Sequence, residues 1–208
     1  MNRNVIYTVI TGGYDTLKSQ PKVDGFDYIC FTDDINLKSD CWKIVPLPED
    51  VDGLSDAKKN RKVKILAHRY LPEYNFSIYI DANIDVKSEK ELLSFIKQNC
   101  TEDKGYFFAG QHPYNRDCIY DEAIALIGLK KDKQETIEKQ VDEYRKEGFP
   151  KHFGLTQNGI LFRYHNNEDC KELMECWWNE VKQKSHRDQL SLFYAKWKTD
   201  KHIIQNNF

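Results

Sequence analysis

The stretch Ser77-Ile78-Tyr79-Ile80-Asp81-Ala82-Asn83-Ile84-Asp85 constrains the chain more than any other. An apolar, β-prone run stops abruptly at side chains bearing oxygen donors at alternate positions. On an extended chain, residues two apart point to the same side. If strand geometry continues through the stretch, Asp81, Asn83 and Asp85 all face one way, where the strand leaves its sheet. In open α/β sheets that edge is where ligands bind. Clustered hard oxygen donors suit Mg²⁺ or Mn²⁺, and such an ion commonly arrives with a phosphate. The same residues also make an ordinary solvated turn, so the rest of the chain has to decide.

From the N-terminus, Val5 to Ile10 is apolar almost throughout and reads as a strand buried on both faces. It breaks into Thr11-Gly12-Gly13-Tyr14-Asp15, which is neither a Rossmann fingerprint nor a P-loop. Paired glycines there still let the backbone approach a ligand closely, or simply make a turn. Phe26 to Thr32 is a second strand ending at Asp33-Asp34, where Asp33 is placed to accept hydrogen bonds from a ribose or base, or to cap the turn. Trp42 to Pro46 is a short third strand. Behind a Ser55 N-cap, Asp56 to Tyr70 predicts one helix. Arg61, Lys64 and His68 share one face of it, a spacing that can hold a diphosphate or form a solvated cationic face.

Past the central stretch, Ser88 to Asn99 predicts a helix with Glu91 in the capping-box position. Gly105 to Gly110 is a buried strand that delivers the polar loop around His112 and Arg116. Helices over 117–129 and 132–147 follow, then a loop over 154–159 and a strand over 160–163. The helix from about Glu168 carries Trp177 and Trp178 in an apolar stripe, which reads as core rather than sugar platform. Ser185 to Asp188 fits a capping box opening the last helix. Strands alternating with helices throughout predict a single α/β unit over 1–208, with a mostly parallel central sheet flanked by helices.

Lys and Arg total 31 against 33 Asp and Glu, so net charge offers no argument for nucleic acid as a partner. The six cysteines show no C-x-x-C pair and no histidine at zinc spacing, which points to a reducing, cytoplasmic setting. No apolar run approaches a transmembrane length, so any membrane contact is expected to be peripheral. A glycine loop after the first strand, a basic helix and an Asp-x-Asn element together suggest a nucleoside diphosphate bound with a divalent ion.

Several segments resemble one family in the right order along nearly the whole chain. They are Ser77 to Ile84, Gln111-His112-Pro113 with Arg116, Asp121-Glu122-Ala123, Leu161 to Asn166, Trp177-Trp178-Asn179-Glu180 and Arg187-Asp188-Gln189-Leu190-Ser191. The family is a glycosyltransferase-like domain family formerly of unknown function. Its plant members act in pectin and mucilage synthesis, and short bacterial members occur in surface-polysaccharide clusters. The resemblance implies a GT-A type (Rossmann-like) fold, a nucleotide-sugar donor with UDP-sugar favoured, and a saccharide or glycolipid acceptor. It places Asp81 and Asn83 at the D-x-D position that holds Mn²⁺ or Mg²⁺, and the loop Thr11, Gly12, Gly13, Tyr14 and the strand-end Asp33, read from the residues themselves, are candidates to meet the donor. Arg61, Lys64 and His68 match the family's basic stretch, Arg187-Asp188-Gln189 its Arg-Asp-Gln motif, and His202 is a further metal ligand by analogy with other GT-A enzymes. The neutral Asn83 departs from the wider pattern and weakens the ion by charge count.

Glycosyl transfer expels a diphosphate, so a metal and cations stabilise the leaving oxygens while the sugar becomes oxocarbenium-like. An inverting enzyme needs a base on the acceptor hydroxyl, for which Asp188 is the first candidate and His112 the second. In a retaining enzyme Asp188 and Gln189 position the donor sugar instead. Two other classes use similar residues: a metal-dependent nucleotidyl or phosphoryl transferase, and a non-catalytic nucleotide- or glycan-binding module.

Overall fold

The computed structural model describes residues 3–86 and 88–206. The strands are β1 (Asn4–Ile10), β2 (Phe26–Thr32), β3 (Lys43–Pro46), β4 (Phe76–Ile80), β5 (Phe107–Gln111), β6 (Thr156–Arg163) and β7 (Ile204–Asn206). The helices are α1 (Asp56–Ile65), α2 (Ala67–Tyr70), α3 (Glu89–Asn99), α4 (Ile119–Gly128), α5 (Gln134–Lys146), α6 (Glu168–Gln183) and α7 (Gln189–Thr199). The strands form one sheet in the order β3-β2-β1-β4-β6-β5-β7. All neighbours pair in parallel except β6, which runs antiparallel to both β4 and β5. This is the mostly parallel α/β sheet expected from the alternation of elements.

Period-two alternation sends side chains from each strand to two cores. Val5, Tyr7, Val9, Tyr79, Phe107 and Leu161 pack on one face, against a core that includes Trp177 and Phe193. Ile6, Ile78, Ile80, Phe108 and Phe162 pack on the other, where α3 supplies Leu92. Trp177 and Trp178 are both buried in the first core, as the stripe predicted. Full burial of such a side chain stabilises by roughly 1.5–3 kcal/mol. Ser88 caps α3 by accepting from the Glu91 amide at 3.3 Å, also as expected.

Four expectations change. The helix predicted over 56–70 breaks at Leu66, with φ −90° and ψ 47°. The carbonyls that would continue the helix are taken from behind. Arg163, fully buried on β6, donates from Nη1 to the Ile65 carbonyl at 3.0 Å and from Nη2 to the Lys64 carbonyl at 2.8 Å. The Tyr7 hydroxyl donates to the same Lys64 carbonyl. Helix ends need such partners, and here a side chain 98 residues away along the sequence supplies one.

Second, β6 begins at Thr156, inside the stretch expected to be loop, because a register shift against β5 bulges 158–160. Third, β4 ends at Ile80, and the amide of Ile84 donates back to the Asp81 carbonyl at 2.9 Å. That turn abolishes the alternation that would have aligned Asp85 with Asp81 and Asn83. Fourth, Ser185 does not cap the last helix: its hydroxyl donates to Asp132 Oδ2 at 2.6 Å, and Asp188 itself is the residue preceding α7.

Candidate active site

A cleft of about 730 Å³ opens at the carboxyl ends of the parallel strands. Because β6 runs the other way, its amino end reaches the same edge, with Gln157, Asn158 and Gly159 in the lining. The loop after β1 forms one rim. Gly12 adopts φ +61°, and a Cβ there would lie 2.6 Å from Asp56 Oδ2, so conformation and space both require glycine. Its amide donates to Asp33 Oδ2 at 2.8 Å. Asp33 therefore anchors the loop and is not among the residues lining the cleft.

The cations and carboxylates meet beneath this loop. Lys64 Nζ lies 2.7 Å from Asp188 Oδ2 and 3.9 Å from Asp81 Oδ1, and Arg61 Nε lies 3.5 Å from Asp188 Oδ2. Lys64 is only 2% exposed and Asp188 3%, so water screens this pair little. Burial pushes the Asp188 carboxyl up, but Lys64 and Arg61, with help from Arg187, more than reverse that and hold it well below the usual carboxylate range. Burial lowers the Lys64 pKa, against the pull of Asp188 and Asp81. Trp177 fixes the other end of Asp188 by donating its indole N–H to the Asp188 carbonyl at 2.9 Å.

Asp81 stands at the open side, accepting from the Tyr79 hydroxyl at 2.7 Å. Asp15 lines the same wall, where burial and then the like charge of Asp81 raise its carboxyl above the ordinary value, opposed by Arg61. Two mutually repelling carboxylates beside the Asn83 amide form a set of hard oxygen donors that a divalent cation would relieve. The donor chemistry of Asp15, Asp81 and Asn83 therefore fits Mg²⁺ or Mn²⁺.

Across the cleft, His112 is buried, with the Tyr114 amide donating to Nδ1 at 3.4 Å and Glu122 Oε2 lying 3.4 Å from Nε2. Burial lowers its pKa, opposed by Glu122 and assisted by Arg116. Glu122 also accepts from Arg116 Nε at 2.7 Å.

Of the residues singled out from sequence, Thr11, Gly12, Tyr14, Arg61, Lys64, Asp81, Asn83, His112, Arg187, Asp188 and Gln189 line this cleft. Gly13, Asp85, His68 and His202 are not among its lining residues. With the helix broken at Leu66, His68 turns to α6, where Nε2 meets Glu175 Oε1 at 2.8 Å. His202 precedes β7, and its backbone amide donates to the Tyr106 hydroxyl at 2.8 Å, at the opposite end of β5 from His112. It is thus removed from the Asp81 ligand set.

Sequence reasoning passed over Asp15, Lys130, Lys131, His186 and Asn158, all in the lining. Asn158 is 3% exposed; its Oδ1 accepts from Thr156 Oγ1 at 2.8 Å, and its Nδ2 has no partner among the described residues. Bulges re-aim side chains beside active sites, and Asn158 sits on one. An Asn-Gly pair directly ahead of the apolar run Ile160-Leu161-Phe162 was the available signal.

This is an α/β chain with an acidic and basic cleft at the ligand edge of its sheet, the architecture of a glycosyltransferase-like domain. The family model described as TOD1/MUCI70, glycosyltransferase-like domain, matches residues 27–208, and the chain belongs to that family. A probable hexosyltransferase, MUCI70, from Arabidopsis thaliana is 31% identical over 173 residues, covering 76% of this chain and 28% of its own length. The chain thus spans under a third of that relative. Among solved structures, mouse xyloside xylosyltransferase 1 in its apo form aligns with 100% of this chain and 84% of its own, at 10% identity and a TM-score of 0.49. No helix among the described residues is long and apolar enough to cross a membrane.

Proposed function

We propose that this chain transfers a hexose from a nucleoside-diphosphate sugar, a UDP-sugar by preference, to a saccharide or glycolipid acceptor in surface-polysaccharide synthesis. The observation that carries the reading is the convergence of Lys64, Arg61 and Arg187 with the oxygen donors Asp15, Asp81 and Asn83 in one cleft. A diphosphate needs cations on one side and, through a divalent ion, oxygen ligands on the other. Bound there by Asp15, Asp81 and Asn83, Mn²⁺ or Mg²⁺ would supply Lewis-acid stabilisation of the departing diphosphate. The family match and the hexosyltransferase relative support the same class.

During transfer the bond between the anomeric carbon and the diphosphate oxygen breaks, its electrons leave with the diphosphate, and the acceptor oxygen forms the new bond as it loses its proton. Lys64 and Arg61 stand ready for the developing negative charge. Asp188 is held too acidic to take that proton efficiently, because a general base works best with a pKa near the operating pH. Its role in this reading is to hold both cations and, with Gln189, to orient the donor sugar. His112, on the cleft wall, is then the remaining candidate for the acceptor's proton, and taking it requires the ring to give up its contact with the Tyr114 amide or with Glu122.

The test is a thermal-shift titration with UDP, GDP, CMP and ADP, each with and without Mn²⁺, followed by incubation with the matching nucleotide sugar and analysis of products. Saturation at a hundred times Kd stabilises by roughly 2.7 kcal/mol, several degrees for a chain of this size. A Mn²⁺-dependent shift with one diphosphate, and release of that nucleoside diphosphate on turnover, is the expected result. From a nucleoside-diphosphate sugar, release of sugar 1-phosphate would instead mean nucleotidyl transfer, and release of the nucleoside monophosphate would mean transfer of the sugar phosphate.

A further inference from the structure

A second cluster of metal-binding side chains lies outside the cleft lining. Cys118, Asp121 and His152 present ligand atoms that all lie within 4.8 Å of one another. Cys118 is the residue preceding α4, and Asp121 stands one turn further on the same helix face. His152 comes from the segment that leads into β6. We propose that Cys118, Asp121 and His152 form a site for a borderline-soft divalent transition ion, Zn²⁺ above all, that ties the start of α4 to this segment.

Three features support the assignment. The donors are a thiol, an imidazole and a carboxylate, the mixture that selects Zn²⁺ over the hard ions suited to Asp81. Cys118 occupies a helix N-cap position yet makes no side-chain capping bond, so capping does not explain its place. Finally, His152 Nδ1 lies 2.7 Å from Asp117 Oδ1. A carboxylate behind one ring nitrogen fixes the tautomer and leaves Nε2 for an ion, the usual support of a metal-bound histidine.

Bonds of about 2.0–2.3 Å around one zinc place ligand atoms closer together than they now lie. Rotation of Asp121 and His152, both exposed, closes that gap. Cys118 is 1% exposed, which suits a ligand and argues against a free nucleophile. The two joined segments matter to the cleft: one carries His112 and Pro113 to it, the other Gln157 and Asn158. An ion here would set the spacing of the two walls.

The experiment uses the full chain, stripped by chelator and titrated with Co²⁺, whose ligation by thiolate gives a charge-transfer absorption. One equivalent should produce the band, and Zn²⁺ should displace it. The band should vanish in Cys118→Ser, and Co²⁺ affinity should fall at least tenfold in His152→Ala and Asp121→Asn. Asp117→Asn should weaken it by roughly 10- to 100-fold. Asp81→Asn and Cys176→Ser should leave the band intact, separating this site from the cleft. His152 and Asp121 are exposed, so their variants report on the site even if Cys118→Ser folds poorly. No thiolate band, or a band indifferent to His152→Ala and Asp121→Asn, overturns the proposal.

Discussion

Two sets of buried polar side chains flank Lys64, and they are built to opposite rules. Behind it, Arg163 donates to the Lys64 and Ile65 carbonyls and to the Tyr7 hydroxyl. His165, equally buried, sits between Ser77 Oγ and the Leu71 carbonyl, each at 2.9 Å. Apart from Arg163 Nε, these two side chains are satisfied within the protein. In front, Arg61 Nε, Arg187 Nε and Asn158 Nδ2 are buried without hydrogen-bond partners among the described residues. A buried donor without a hydrogen bond costs roughly 1–3 kcal/mol, and several of them gather at this one cleft. The rear set is closed within the protein apart from Arg163 Nε, and the front set keeps unused donors.

That contrast can be broken in several ways. Removing the rear strut should have the largest effect on stability. Arg163→Leu removes three hydrogen bonds and strands the Ile65 carbonyl, the Lys64 carbonyl keeping the Tyr7 hydroxyl, and we expect a loss on the order of 3–5 kcal/mol, or roughly 10–15 °C in Tm. A loss under about 1 kcal/mol would mean the guanidinium is dispensable to the rear set.

Next comes pH. Burial, above all, pushes the His165 pKa down to about 4, whereas an unfolded chain restores about 6.5. Between those values the unfolded state binds more protons, so stability is full above pH 6.5 and falls as pH drops toward 4. The loss from this residue reaches roughly 3 kcal/mol. Urea midpoints across the range should fall more steeply in the wild type than in His165→Asn; parallel profiles would refute the assignment.

The front set should respond in binding instead. Asp81→Asn keeps an acceptor for the Tyr79 hydroxyl, so stability should move by less than about 0.5 kcal/mol. Its Mn²⁺-dependent nucleotide affinity should drop at least tenfold, read by calorimetry. Asn158→Ala should weaken nucleotide-sugar binding by about 5- to 30-fold, the worth of one buried hydrogen bond, with only the modest Tm loss that follows from leaving the Thr156 hydroxyl without its acceptor. A lower Tm with unchanged binding would move Asn158 to the rear category. The smallest effect is expected from His68→Gln, whose partner is Glu175; nucleotide affinity should stay within twofold, and a larger change would return His68 to the cleft.

The order and type of most elements were legible because strands buried on both faces and amphipathic helices carry strong local patterns. What stayed hidden was long-range. Nothing near Leu66 announces a helix break, since its cause is Arg163 on β6. The Ser185 hydroxyl looked like a cap only because Asp132, its actual acceptor, is 53 residues earlier. The D-x-N element was visible as chemistry, but the turn at Asp81–Ile84 that excludes Asp85 depends on where β4 stops. Cys118 and His152 are 34 positions apart, beyond any spacing rule, and meet only through the fold. The Lys64–Asp188 pair was legible as two candidates and not as a couple, which is why Asp188 read as a base.

The reversed direction of β6 has a consequence for how such a chain diversifies. In a parallel strand the segment downstream meets the substrate, and the segment upstream can vary freely. For β6 the polarity is inverted: Asn158 and Gly159 stand at the cleft because the strand enters the sheet there. Insertions or exchanges just upstream of Thr156 would reshape this wall of the cleft, while the run from Ile160 onward is committed to the two cores through Leu161 and Phe162. A library aimed at changing that wall belongs in residues 148–157.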